Sequence, residues 1–254
     1  MNCRRPLRIV TRLLWFGGLV CSAFGDFLLR CVFGKTALTD RALWLHRHTH
    51  RVLKMFRLEP QVSGPIPSRG LLISNHLSYL DILVISSITP AVFVAKREVK
   101  FWPVLGLCAQ MAGTLFVDRT RKLQVVEMNK EIGEALDAGV LVVLFPEGTS
   151  SNGQSVLPFK SALLEPAAQS AHPLFVGCIQ YSLNDGDAGD EICYWGDHTF
   201  FPHMLNLMGK QTIRAAVRFA PFEAPPASRK ELAFRLREEV VKLKVVASIT
   251  PPAA

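Results

Sequence analysis

A chain of 254 residues holds one generous domain, or one domain with an appended element. Its 49% hydrophobic and 20% charged residues supply a sizeable core and exclude intrinsic disorder. A net charge of +8 and a mean hydropathy of +0.23 point to an anionic partner and an apolar surface, with simple solubility and nucleic-acid binding both open on charge alone.

The N-terminus is basic and then apolar. Arg4, Arg5, Arg8 and Arg12 precede an apolar run over 13–25, which resumes after Asp26 and reaches Phe33. No cleavage site of a signal peptide is evident. With Asp26 inside, the run is long enough to cross a bilayer, and it reads as a membrane-anchoring helix, re-entrant or spanning. A buried core helix is the competing reading. If the helix spans, its basic flank places the N-terminus in the cytoplasm. The six cysteines (Cys3, Cys21, Cys31, Cys108, Cys178 and Cys193) form no C-x-x-C pair. They read as reduced, mostly buried thiols of a protein facing the cytoplasm.

A second helix is predicted over 39–57, capped by Thr39. Leu43, Trp44, Val52, Leu53 and Phe56 form its apolar side, with Arg41, Arg47, Arg51, Lys54 and Arg57 around it. Such a basic amphipathic helix suits an anionic lipid surface or an ordinary core-packed position. It carries His46, His48 and His50. A spacing of two turns neighbouring rings to different faces, so a structural or surface role is expected rather than a metal site.

Residues 64–70 form a Pro/Gly/Ser linker, and the pattern then becomes α/β. Apolar runs at 71–74, 91–95, 114–117, 140–145, 174–179 and 212–219 read as strands. Helical patterns at 79–87, 102–111, 123–138 and 161–171 lie between them. A mixed, mostly parallel sheet covered by helices on both faces is expected. The last helix is predicted over 228–246, capped by Ser228 with Glu231 three residues on. The organisation expected is membrane-anchoring helices over 1–60, one α/β domain over 61–246 and a disordered tail over 247–254.

Three constellations carry chemistry. The first is Asn75-His76-Leu77-Ser78-Tyr79-Leu80-Asp81, just past a strand. Imidazole takes a proton from a hydroxyl near neutral pH, provided an acceptor holds its other nitrogen. Asp81 is the candidate acceptor, if His76 precedes the helix and Asp81 lies in its first turn. Ser78-x-x-Asp81 is equally a helix-cap pattern. The second is the turn Pro146-Glu147-Gly148-Thr149-Ser150 after the strand at 140–145, a plausible anion cradle or an ordinary surface turn. The third is Gly113-Thr114-Leu115-Phe116-Val117-Asp118-Arg119. A guanidinium on the same rim grips a phosphate or carboxylate, or simply pairs with Asp118.

In this order and spacing, Asn-His-x-Ser-x-x-Asp, Gly-x-x-Phe-Val-Asp-Arg and Phe-Pro-Glu-Gly-Thr resemble the glycerolipid (lysophospholipid) acyltransferase family, which includes bacterial 1-acyl-glycerol-3-phosphate acyltransferases. The resemblance covers about residues 65–182. His172-Pro173-Leu174-Phe175-Val176 matches the family's fourth block loosely. Tyr194-Trp195-Gly196-Asp197 with Pro202-His203 is similar to the lyso-ornithine lipid acyltransferase branch.

The resemblance implies His76 as general base and Asp81 as its orienting partner. It implies that Arg119, Glu147, Gly148 and Thr149 bind the acceptor's polar head, with Ser78 supporting the loop. Lys96 is a candidate oxyanion donor and Lys160 a candidate contact for the acyl donor. The family implies acyl-CoA or acyl-carrier protein as co-substrate, with no metal and no other cofactor. The expected partners are a membrane lipid and the acyl donor at the cytoplasmic face of the plasma membrane. The expected acceptor is 1-acyl-glycerol-3-phosphate, with a lyso-ornithine lipid as alternative. A hydrolase or transacylase on the same site and a non-enzymatic lipid-binding protein are the competing functions. Nucleic acid is disfavoured because few aromatics interleave with the basic residues. Oligomeric state is not expressed in the sequence.

Overall fold

The computed structural model describes residues 4–118, 122–169, 172–223 and 228–249. Strands with large apolar side chains on both faces need cover above and below, and the chain supplies it with helices between them. The strands are β1 Leu58–Ser63, β2 Gly70–Ser74, β3 Val92–Lys96, β4 Leu115–Val117, β5 Leu141–Leu144, β6 Leu174–Ser182 and β7 Ile213–Pro221. Among the described residues they form one sheet in the order β1-β7-β6-β2-β5-β3-β4. Only the β6–β7 pairing is antiparallel.

The helices are α1 Arg4–Val32, α2 Leu38–Phe56, α3 Leu80–Ile88, α4 Leu105–Met111, α5 Lys122–Asp137, α6 Glu165–Gln169, α7 Ala188–Glu191, α8 Phe200–Gly209 and α9 Arg229–Ile249. Strand alternation divides the core in two. Leu72 joins α1, α2, α3 and α8 on one face, whereas Leu71 and Ile73 join α5 and α9 on the other. The expected fold class is therefore observed.

Several elements differ from the sequence reading, each for a local reason. β1 has the sequence Leu-Glu-Pro-Gln-Val-Ser and shows no apolar run. It is an edge strand with Leu58 alone fully buried, and an edge tolerates Pro60 because no neighbour needs its missing N–H. The boundary expected at residue 60 falls inside β1, and α1 and α2 share their core with the sheet. α7 and α8 have no counterpart in the sequence reading; Pro202 lies in the first turn of α8, where no intrahelical donor is required. The helix expected over 161–171 breaks into a 3-10 turn at Ser161–Leu163 and α6, because Pro166 cannot continue a helix through its own N–H. The helix expected from 102 begins at Leu105, after a 3-10 turn at Arg97–Phe101.

Thr39 is not a cap. α2 starts one residue earlier, and its cap position, Ala37, makes no side-chain bond. Ser228 does cap α9, its Oγ accepting from the Glu231 N–H at 3.3 Å. α9 runs to Ile249, so residues 247–249 of the expected tail are helical, and 250–254 lie outside the described residues.

α1 is long and apolar enough to cross a membrane, yet it is fastened to the body along its length. Ile9, Leu13, Phe16, Leu19, Phe24 and Phe27 pack on the core. Arg5, Arg8 and Arg12 of the basic flank hold α8. Arg12 Nη1 donates to the Met208 and Lys210 carbonyls at 3.0 and 2.6 Å, Arg8 to that of Gly209 at 2.7 Å, and Arg5 to Asn206 Oδ1 at 2.7 Å. These are terminal carbonyls that lack intrahelical donors, at the negative end of the α8 dipole. Further along, the Trp44 indole N–H donates to the Ala23 carbonyl at 3.1 Å. The outer face of α1 stays bare: Leu7, Val10, Leu14, Leu28 and Val32 recur at helical spacing and are exposed. Cys21 and Cys31, expected to be buried, lie exposed on this helix, whereas Cys178 and Cys193 are buried.

Candidate active site

Parallel neighbours carry their C-terminal ends to one rim, where α/β folds place ligands. Five adjacent strands do so here, in the order β6, β2, β5, β3, β4. His76 lies just past β2, Glu147 just past β5, Lys96 at the end of β3 and Asp118 past β4.

His76 Nδ1 donates to Asp81 Oδ2 at 2.8 Å. Asp81 is fully buried at 0% exposure, and His76 retains 21% of its side-chain surface. The same Oδ2 accepts from the Leu77 and Ser78 N–H groups at 2.7 and 3.1 Å, and Oδ1 accepts from the Tyr181 hydroxyl at 2.7 Å. Helix cap and imidazole partner are thus one carboxylate: it satisfies the amides entering α3 while it holds the imidazole. Four donors leave little freedom to Asp81, and they fix the His76 tautomer, with the proton on Nδ1 and Nε2 ready to accept. The imidazole also stacks on Phe145, with ring centroids 4.3 Å apart and planes 17° from parallel. Ser78 is buried and serves the loop through its N–H; its Oγ finds no partner among the described residues.

Glu147 has a different role from the one expected. It is 2% exposed, and both of its oxygens are taken by backbone. Oε1 accepts from the His76 N–H at 3.0 Å and Oε2 from the Leu157 N–H at 3.2 Å. A carboxylate so enclosed does not face a ligand; it fixes the backbone of His76. Burial pushes its pKa up to about 7, against the two amide donors that favour its charged form. The Ser151 N–H donates to the His76 carbonyl at 3.0 Å, so the turn after β5 grips His76 from both sides.

Gly148 carries φ +74°, open to glycine, and its N–H is spent on the Phe145 carbonyl at 3.2 Å. It is therefore not a free oxyanion donor. Thr149 is exposed on the turn. Lys96 is exposed two strands, about 10 Å, from the strand of His76. Lys160 is exposed too, and its backbone N–H donates to the Pro146 carbonyl at 2.9 Å, which sets it beside the Glu147 turn. Arg119 lies outside the described residues.

Residues to which the sequence reading gave no role complete the site. Asn75 clamps β2 to β6, its Nδ2 donating to the Ile179 carbonyl at 3.0 Å and its Oδ1 accepting from the Ile179 N–H at 2.8 Å. Tyr181 comes from the polar end of β6, with nothing local to mark it. Arg237 of α9 donates through Nε and Nη2 to the Val156 carbonyl at 3.1 and 2.8 Å, and through Nε to that of Leu157 at 3.2 Å. Lys244 donates to the Gly153 and Gln154 carbonyls. The last helix therefore holds the loop that holds Glu147 and, through it, His76. Arg237→Ala is expected to lower kcat about tenfold with KM little changed, and Arg237→Lys to recover part of it. Steady-state kinetics on the full chain decide this; a change confined to KM contradicts a positioning role.

The Tyr194–His203 segment closes one side of the site. The Tyr194 N–H donates to the Leu77 carbonyl at 2.8 Å, and the Ser150 hydroxyl donates to the Tyr194 carbonyl. Tyr79 and His203 Nδ1 share a hydrogen bond of 3.0 Å. Burial, with His198 nearby, pushes the His203 pKa down to about 4.

The family model described as Acyltransferase matches residues 59–180. A lyso-ornithine lipid O-acyltransferase of Rhizobium meliloti (strain 1021) is 34% identical, covering 79% of this chain and 74% of that protein. The chain belongs to the acyltransferase family. A 1-acyl-sn-glycerol-3-phosphate acyltransferase of Neisseria meningitidis serogroup B is 35% identical over 57% of this chain and 61% of its own. The crystal structure of the 1-acyl-sn-glycerophosphate (LPA) acyltransferase PlsC from Thermotoga maritima shares the fold, with a TM-score of 0.69, 21% identity and 98% of each chain covered.

As a membrane-associated acyltransferase the protein needs room for hydrocarbon. An apolar cavity of about 130 Å³ lies between α1, α2, α3, α4 and α8. Phe16, Leu45, Tyr79, Trp102, Ala109 and Met204 are among its walls. Leu80, like Tyr79, stands between His76 and Asp81 in the chain and lines it, so the cavity abuts the segment that carries the pair. The segment 102–111 and the N-terminal helix both contribute to its walls.

Proposed function

We propose that this acyltransferase moves a fatty acyl group from the thioester of acyl-CoA or acyl-carrier protein to the free hydroxyl of a lysolipid. The observation that carries it is the 2.8 Å His76–Asp81 bond beside an apolar cavity. His76 Nε2 takes the proton of the acceptor hydroxyl as its oxygen attacks the thioester carbonyl. The tetrahedral oxyanion collapses, the carbon–sulfur bond breaks, and the thiolate takes the proton back from the imidazolium. Lys96 and the rim beyond Gly148 are candidates to stabilise the oxyanion. Arg119, Thr149 and Lys160 would meet the polar and phosphate groups of acceptor and donor. No metal or prosthetic group enters these steps.

For the acceptor, a lyso-ornithine lipid is our first reading and 1-acyl-glycerol-3-phosphate the second. The likeness to lyso-ornithine lipid O-acyltransferases extends over more of the chain, and the Tyr194–His203 segment stands beside His76. Mass spectrometry of lipids from a deletion strain tests this. Loss of one diacylated lipid with accumulation of its lyso form names the acceptor; an unchanged lipid profile overturns the activity.

We further infer that α1 lies in one leaflet at the cytoplasmic face, its bare face in hydrocarbon, because its inner face is bound to the body. Each bare leucine buried in lipid contributes about 1.5–3 kcal/mol. L14D/L28D/V32D is expected to leave the carbonate-washed membrane pellet while keeping its melting temperature, since these side chains pack against no core. Retention in the pellet contradicts the anchor.

A further inference from the structure

On the flank of the α1–α2 hairpin lies a second hollow, of about 330 Å³, lined by Ser22, Asp26 and Arg30 of α1 and by Arg47, His48 and Arg51 of α2. The α1 residues stand one turn apart, as do Arg47 and Arg51, so all converge on one groove. Arg30 Nε donates to Asp26 Oδ2 at 2.8 Å, and His48 Nε2 meets the same oxygen at 3.1 Å. Arg51 Nη1 reaches Ser22 Oγ at 3.4 Å. None of these residues lines the apolar cavity or touches His76.

The charges of this hollow do not close. Three guanidiniums face one carboxylate, an excess of two positive charges before His48 is counted. A purely structural ion-pair network would match them. Here Asp26 orients Arg30 and His48, while Arg51 spends one N–H on Ser22 and Arg47 has no acceptor among the described residues, which leaves most of their donors open to the hollow. Planar guanidiniums bind phosphate oxygens in pairs. The neighbours of Arg30 are apolar and bare: Leu29 and Phe33 are 60% and 74% exposed. The flank thus offers cationic donors beside an apolar strip, at the border of the lipid-facing side of α1.

We propose that this hollow is a second lipid site, separate from the active site, that takes the phosphate of an anionic phospholipid headgroup while its hydrocarbon lies along Leu29 and Phe33. It depends on membrane association and not on which lysolipid is acylated. The shared chemistry is a phosphate monoanion or dianion, so a free phosphate ion is the other source.

Vesicle flotation of the full chain tests it, with phosphatidylcholine alone or with about one part in five phosphatidylglycerol. R47Q/R51Q is compared with K35Q/K54Q, which removes the same charge outside the hollow. R47Q/R51Q is expected to lose about tenfold more binding to the anionic vesicles than the control pair, with both equal to wild type on phosphatidylcholine. Equal losses, or no preference of the wild type for anionic vesicles, overturn the site and leave a solvated basic surface. Inorganic phosphate, against chloride at matched ionic strength, separates the sources. Release of wild type but not of R47Q/R51Q shows that free phosphate fits; no release, with the arginine dependence kept, shows that the headgroup is required. Turnover of R47Q/R51Q on lysolipid in neutral detergent is expected to equal wild type, so failure here is distinct from failure of the acyl-transfer reading.

Discussion

His76→Ala is expected to lower acyl transfer by at least about 10³-fold, at the upper part of what a positioned general base contributes. The side chain is partly exposed and makes one hydrogen bond, to Asp81, so the variant should keep its fold. Asp81→Ala is a harsher change. It strips the acceptor from two backbone amides and the Tyr181 hydroxyl as well as from the imidazole. Each buried donor left unpaired costs about 1–3 kcal/mol, so a drop in melting temperature should accompany the lost activity. Asp81→Asn keeps the volume and separates the two effects. If the pair acts as a unit, the double variant is scarcely slower than His76→Ala alone. Independent, multiplying losses would contradict the pairing, and near-normal turnover of His76→Ala would remove the base.

The second large effect is expected at Glu147, through position rather than contact. Glu147→Ala leaves the His76 and Leu157 amides unpaired in a buried turn, costing about 2–5 kcal/mol. It also frees the backbone of His76, and turnover should fall about 10²-fold, as misplacing a reacting group by about 1 Å does. Glu147→Gln restores one acceptor but turns an amide group toward an N–H, so partial rescue is expected.

Glu147 also makes stability depend on pH. Its pKa is raised from 4.5 to about 7 by burial. Below the ordinary carboxyl range it is protonated in folded and unfolded chains alike. As pH rises toward 7 the unfolded chain ionises first, so the folded state loses stability across that window, by on the order of 3 kcal/mol. Denaturant melts of the full chain in detergent at about pH 5 and pH 7.5 measure this. Glu147→Gln should flatten the difference, and parallel slopes for the two proteins would contradict the assignment.

These two residues show what a linear motif conveys. His76, Asp81 and Glu147 all stand out in sequence because chemistry-bearing residues come after apolar strands at short, ordered spacings. The α/β class is equally legible, since β2, β3, β5 and β6 are continuous apolar runs with helical periods between them. β1 escapes notice because an edge strand with Pro60 has no hydrophobic signature. Tyr181 and Arg237 escape it because their partners, Asp81 and Val156, lie 100 and 81 positions away.

Taken alone, then, the sequence specified the class of fold, the candidate residues of the site and, through three ordered motifs, the kind of reaction. These are local properties, set by side-chain period and by the residues at the end of each strand. How those residues are used was settled in three dimensions. Whether a carboxylate faces a ligand or a backbone amide depends on which elements enclose it. Asp81 is both helix cap and imidazole partner because α3 begins beneath His76, and Glu147 is a brace because the turn after β5 folds inward. The basic start of α1 is a set of clasps for α8 because that helix ends against it. Packing chose among roles that residue type and spacing had left open.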